Sequence, residues 1–199
     1  MKPYLLLIAF CVFGLSCSND DDVNIPNPET PTSFTDPRDG QVYDIVKIGN
    51  QTWFAQNLNY DSQNQQSACY EDEYTNCFIY GRLYTGNEAQ TVCPEGWHLP
   101  SVDEWQILVD YIGGINVAHI LLAPGATLQG EPVNFNLLPA SRSLAGNDSY
   151  LGTRGYYWTS TDPGLPDSFN HVRYELNNEI SLNGGGSQTI LESCRCIKD

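Results

Sequence analysis

Seven cysteines, three histidines and 24 carboxylates are the reactive side chains of this 199-residue chain. Cys69 and Cys77 flank one polar loop and form a natural short-range disulfide pair. Cys194 and Cys196 stand two apart near the C-terminus. On a strand both would face the same way, so either could reach Cys93. His98, His119 and His171 are scattered, with no histidine partner four residues away and no Cys-x-x-Cys companion. Zinc needs convergent ligands, so these histidines read as structural. Ser141, Ser143 and Ser160 lack the Gly-x-Ser-x-Gly elbow of a serine nucleophile. Glu71-Asp72-Glu73 is contiguous in a polar stretch and reads as solvated, whereas a glycosidase holds two carboxylates across a cleft. No phosphate loop or dinucleotide fingerprint is present. The expectation is a protein without catalysis. Aromatic rings are the remaining resource: Tyr150 and Tyr156 lie in or beside a Gly-rich loop and could stack on a sugar, with Asn147 and Asp148 as polar neighbours.

Residues 42–48 and 51–55 are β-prone and surround Gly49-Asn50, which predicts a hairpin. Residues 57–77 read as a loop. Thr85 with Glu88 and Ser101 with Glu104 have capping-box spacing. The first predicts a helix of about two turns from Gly86. After the second, Trp105, Leu108, Val109 and Ile112 recur at i, i+3, i+4 and i+7, predicting a helix over 102–112 stopped by Gly113-Gly114. A short helix is expected over 117–123. Residues 124–155 read as long loops with a brief strand. Residues 155–161 form a strand, 171–176 and 179–182 a hairpin around Asn177-Asn178, Gly184-Gly185-Gly186 a loop, and 190–197 a final strand. This order predicts an α+β domain of small antiparallel sheets, two or three short helices and long loops.

A net charge of −15 repels phosphate backbones and excludes nucleic acid as a partner. A 41% hydrophobic content supports a real core and excludes a wholly disordered chain. One long apolar run, Tyr4 to Leu15 behind Lys2, is too short for a comfortable membrane span and reads as an export signal over 1–16. Gly14-Leu15-Ser16-Cys17 resembles a bacterial lipobox, with Gly14 where Leu is preferred. The resemblance implies diacylation of Cys17 and a membrane anchor; the alternative is an ordinary cleaved signal with Cys17 in a disulfide. Ser18-Asn19-Asp20-Asp21-Asp22 resembles the surface-export signal of Bacteroidetes lipoproteins, which implies an outer-membrane protein exposed on the cell surface. Residues 17–36, acidic and then punctuated by Pro26, Pro28 and Pro31, read as a tether ahead of a domain over 37–199.

Several strings in that domain resemble the Fibrobacter succinogenes major paralogous domain. They are Asp39-Gly40-Gln41-Val42-Tyr43, residues 46–53, Asn57-Leu58-Asn59, residues 80–84, residues 93–100 with Glu104-Trp105, residues 157–161, and Arg195-Cys196-Ile197-Lys198-Asp199. The family occurs in secreted proteins and lipoproteins. Trp53, Trp97, Trp105 and Trp158 all lie in these blocks and read as core. More distantly, Trp97-His98-Leu99-Pro100-Ser101 with Glu104-Trp105 resembles a segment of the formylglycine-generating enzyme superfamily, which implies a C-type-lectin-like fold. Such folds tie a helical region to the last strand, which implies a Cys93–Cys196 bridge. Cys194 replaces an apolar family position and reads as a buried thiol; Cys194-Arg195-Cys196 does not match that superfamily's copper-binding spacing. Lectin-type calcium ligation would fall to Glu131, Asn134 and Asp148, with a structural calcium as the alternative and no other cofactor.

The combined expectation is a surface lipoprotein with a non-catalytic, lectin-like binding domain. Its ligand would be a polysaccharide or a cell-surface protein, held by loops 124–155 and 162–170. The alternatives are a structural component of the envelope and, behind it, an enzyme of the formylglycine-generating type.

Overall fold

The computed structural model describes residues 32–117, 119–122, 127–128, 130–140, 151–175 and 179–199. Residues 1–31, with the expected export signal, Cys17 and the acidic part of the expected tether, lie outside the described residues.

Strands β1 (Thr32–Thr35), β2 (Val42–Ile48) and β3 (Gln51–Phe54) follow one another antiparallel. Ile48 pairs with Gln51, so only Gly49 and Asn50 connect β2 to β3, and Gly49 supplies the φ of +59° that this tight turn requires. The domain starts earlier than position 37. Residues 32–35 pair with β2, and the Phe34 ring lies 5.6 Å from Phe54 and 5.4 Å from Trp97. An aromatic residue that can be buried draws this end of the tether into the sheet.

Residues 57–77 are not all loop. They contain β4 (Ser67–Ala68), a 3-10 turn (Tyr70–Asp72) and the start of α1 (Tyr74–Tyr80). Next come β5 (Leu83–Thr85), α2 (Gly86–Ala89) and β6 (Trp97–His98). The Thr85 hydroxyl accepts from the Glu88 amide as its spacing predicts, but α2 lasts a single turn. Helix α3 (Val102–Ile112) matches its prediction. The Ser101 hydroxyl accepts from the Glu104 amide at 3.2 Å, and the Glu104 carboxylate accepts from the Ser101 amide at 2.7 Å. Its four periodic apolar residues are buried, each worth about 1.5–3 kcal/mol. Gly113, at φ +108°, ends it.

A 3-10 turn (Ile115–Val117) and α4 (His119–Leu122) precede a two-stranded ribbon, β7 (Thr127–Leu128) and β8 (Glu131–Pro132). The final elements are β9 (Arg154–Trp158), β10 (Ser168–Glu175), β11 (Glu179–Ser187), β12 (Leu191–Ser193) and β13 (Ile197–Lys198). One sheet has the order β1-β2-β3-β13-β6 and the other β11-β10-β9-β12-β5-β4. Pairing is antiparallel apart from β12 with β9. The fold is α+β.

Two expectations for the C-terminal region are corrected. Gly184-Gly185-Gly186 is strand, not loop. A Cβ on Gly184 would lie 2.0 Å from the His171 ring and one on Gly186 2.6 Å from Trp158, so these glycines let the strand run beneath two large rings. Residues 190–197 are two strands rather than one. β12 belongs to one sheet and β13 to the other, and Cys194-Arg195-Cys196 makes the crossing. The Cys194 and Cys196 carbonyls accept from the amides of Leu58 and Phe54, which stitches the crossing to the end of β3 and the segment after it.

The core has two aromatic centres. Trp53, Trp105 and Phe135 meet in the first, and Phe54, Tyr84, Trp97 and Trp158 belong to the second. All four tryptophans are buried.

Candidate functional site

Helix α1 has little intrinsic reason to form. Tyr, Thr, Asn, Cys, Phe and Ile are mediocre helix formers, and no side chain caps its N-terminus. It is held from outside. The Cys69–Cys77 disulfide staples it to the preceding turn, and Tyr70 and Cys77 are buried beneath it. Asn76 donates to the Tyr70 carbonyl at 2.9 Å. At its C-terminal end Asn57 donates to the Tyr80 carbonyl at 2.8 Å. Gly81 then passes so close to Asn57 and Leu58 that a Cβ there would meet the Leu58 carbonyl at 2.8 Å.

This lobe turns its large apolar side chains outward. Tyr74 is 67% exposed, Phe78 69% and Ile79 58%. Tyr74 and Phe78 are one turn apart, with ring centroids 4.9 Å apart and planes at 89°. The exposed carboxylates of Glu71, Asp72 and Glu73 border them. Glu71 and Asp72 both take φ of +55°, an uncommon conformation for a side-chain-bearing residue.

The groups with reactive chemistry are used internally. The His98 ring bridges Glu104 at 2.9 Å through Nε2 and Asp199 at 2.7 Å through Nδ1. Partial burial opposes its charge, but the bonds to Asp199 and Glu104 outweigh that and raise its pKa above the ordinary value. His171 is buried with Nδ1 3.0 Å from the Glu192 carboxylate, which is fully enclosed. Cys194 is a buried free thiol whose pKa is pushed well up by burial and by the charges of Glu192 and Glu88. A thiol in that state is a poor nucleophile. Cys93 bonds to Cys196, the second disulfide, as the likeness to lectin-like folds implies.

Of the residues expected to bind ligand, Tyr156 is corrected. It is 3% exposed and packs edge-on against His171, so its ring is not available to stack on a sugar. Tyr150, Asn147 and Asp148 lie outside the described residues. Glu131 contributes backbone to β8, its side chain lying outside the described set, and Asn134 is half-buried at φ +49°. Among the described residues, no group of three or more His, Cys, Asp or Glu side chains could hold a metal ion.

The described part of 124–155 is largely interior. Val133, Phe135, Leu137 and Ala140 are buried, and the carbonyls of Leu137 and Leu138 accept from the hydroxyls of Tyr174 and Tyr157. The alternation in Val133-Asn134-Phe135-Asn136-Leu137 signals this half-buried path, but Asn134 and Asn136, both at φ +49°, keep it from being a strand. Loop 162–170 is shorter than expected because β10 begins at Ser168; Leu165, 65% exposed, is at its surface. A loop reading of 57–77 hides Tyr74 and the first half of α1, and no element is expected at Phe78. Their i, i+4 spacing on either side of Cys77, at the end of a short cysteine loop, is the available signal.

With strands, crossing and disulfides in place, the relationship to known proteins is clear. The model of the Fibrobacter succinogenes major domain matches residues 46–198. The chain belongs to that family. Within this Fibrobacter succinogenes major domain lie Arg195, both disulfides, the His98–Glu104 pair and the α1 lobe. No curated protein and no solved structure matches the chain.

Proposed function

We propose that the protein is an exported, lipid-anchored surface protein whose domain binds a macromolecular ligand without catalysis. The observation that carries this reading is the Tyr74–Phe78 pair, two large rings left in water on a covalently pinned helix. Exposed apolar clusters of this kind mark interaction sites. Export is supported by the signal-like N-terminus, the lipobox-like Cys17 and two disulfides suited to an oxidising compartment. No helix of the described residues is long and apolar enough to cross a membrane. A C-type-lectin-like arrangement is supported by the single long helix among short strands and by the bridge from Cys93 to the C-terminal crossing.

The test is binding of the purified protein to glycan and surface-protein panels, with and without a calcium chelator. Binding that falls at least about tenfold in Tyr74→Ala/Phe78→Ala is expected, as for an aromatic hot spot. Failure to bind any member of either panel would overturn the reading.

A second reading, a structural component of the envelope, is favoured by one further feature. Ile107 and Tyr111, one turn apart on α3, are 55% and 56% exposed, and Ile115 in the turn after the helix is 46% exposed. Cross-linking on intact cells that joins this exposed end of α3 to a fixed neighbour would support it.

A further inference from the structure

Resting on that binding reading, we infer that the α1 lobe docks a cationic protein face, one that lays lysine or arginine side chains into the outer corner formed by the touching rings of Tyr74 and Phe78 and sets further cations against Glu71, Asp72 and Glu73. Three observations select this partner.

The first is charge. Between residues 57 and 92 the chain carries Asp61, Glu71, Asp72, Glu73 and Glu88 against the single cation Arg82. That guanidinium is already bonded to Asp61 and mostly buried. The lobe is therefore an apolar patch with a one-sided acidic border. Aromatic faces and carboxylates both attract cations, and a net charge of −15 steers a cationic partner toward the whole domain. The same charge disfavours a second copy of this chain.

The second is ring geometry. A sugar ring stacks best on a flat platform, often with amide or carboxylate groups beside it. Here the two rings are perpendicular, at 89°, and the Asn76 amide is committed to the Tyr70 carbonyl. One face and one edge at right angles form a notch, which suits the narrow alkyl stem and charged head of lysine or arginine.

The third is rigidity. The Cys69–Cys77 bond, the Asn57–Tyr80 bond and the close passage at Gly81 hold the lobe before any partner arrives. Less ordering entropy is then lost on docking.

The experiment uses the full chain in detergent and a fluorescent amphipathic Leu/Arg/Lys peptide as probe, read by anisotropy, with a neutral oligosaccharide panel alongside. Tyr74→Ala/Phe78→Ala keeps the net charge, so general attraction to an acidic protein is unchanged. Expected are peptide binding, a loss of about tenfold or more in that variant, and no change in Leu165→Ser. Glu71→Gln/Asp72→Asn/Glu73→Gln should slow association and flatten the salt dependence. Equal peptide binding by wild type and Tyr74→Ala/Phe78→Ala would overturn the site while leaving the binding reading intact. Oligosaccharide binding that depends on the two rings, with the peptide ignored, would overturn the partner class. Binding of neither probe overturns this inference, and the binding reading falls with it only if the surface-protein panel is also silent.

Discussion

The amide oxygen of Asn57 accepts from both Nε and Nη2 of Arg195, at 3.1 and 2.5 Å, with both residues buried. The same guanidinium donates to the carbonyls of Phe54, Phe135 and Asn136 and lies over the Phe135 ring at 4.9 Å. Burial pulls its pKa down, yet arginine remains charged in proteins, so neutral dipoles and ring faces must carry that charge. Asn57 also donates to Tyr80, which makes it the link between this centre and the α1 lobe.

Asn57→Leu should cost about 3 kcal/mol, because it strands charged donors away from water. Arg195→Lys should cost a similar amount, since an ammonium cannot span four separate acceptors. Urea unfolding measures both. A variant within about 0.5 kcal/mol of wild type would show that the guanidinium finds other partners.

The His98 bridge makes stability depend on pH. Its folded pKa is raised, so the contribution is complete below about 6.5 and disappears as pH rises through the folded value. Glu104 has the opposite sense. Burial works against its charge, but the Ser101 and His98 bonds prevail and lower its pKa. Its contribution is present above about 4.3 and disappears as pH falls through the lowered value. Between those limits the bridge is at full strength. The urea midpoint of wild type should therefore fall from pH 6 to pH 8.5 relative to His98→Gln. Parallel pH profiles would refute this.

Adjacent glycines should differ sharply on substitution. Gly184→Ala drives a Cβ into His171, and Gly186→Ala drives one into Trp158. Each should cost about 1–3 kcal/mol by overpacking. Gly185 has nothing within 4 Å of its would-be Cβ, so Gly185→Ala should be close to neutral. Thermal melts of the three variants are the check.

The two disulfides should also separate. Cys93 and Cys196 are 103 residues apart, and losing their bond should cost about 4–5 kcal/mol in the chain-entropy view. Cys69 and Cys77 are eight apart, and losing theirs should chiefly release α1, seen as lost amide protection over 74–80. Among the described cysteines, thiol titration should find Cys194 alone, and only after unfolding. A thiol reactive in the native state would contradict its burial.

What could be read from the chain alone is local. The capping box and apolar period of α3, the Gly49-Asn50 turn and the Cys69–Cys77 spacing each involve residues within about a dozen positions, where backbone geometry and side-chain reach act directly. The blocks that resemble the family added its membership, and the more distant fold likeness added the Cys93–Cys196 bond. Tertiary structure decided the rest. Tyr156 is buried because His171 packs on it, and Gly184-Gly185-Gly186 is strand because two rings from neighbouring strands need the space. Residues 190–197 divide because their hydrogen-bond partners belong to different sheets. Helix α1 stands with Tyr74 and Phe78 outward because a disulfide, Tyr70 and Asn57 hold it from its inner side. Each of these outcomes depends on which surfaces meet across long separations in the chain, and a propensity measured on neighbouring residues carries no term for that.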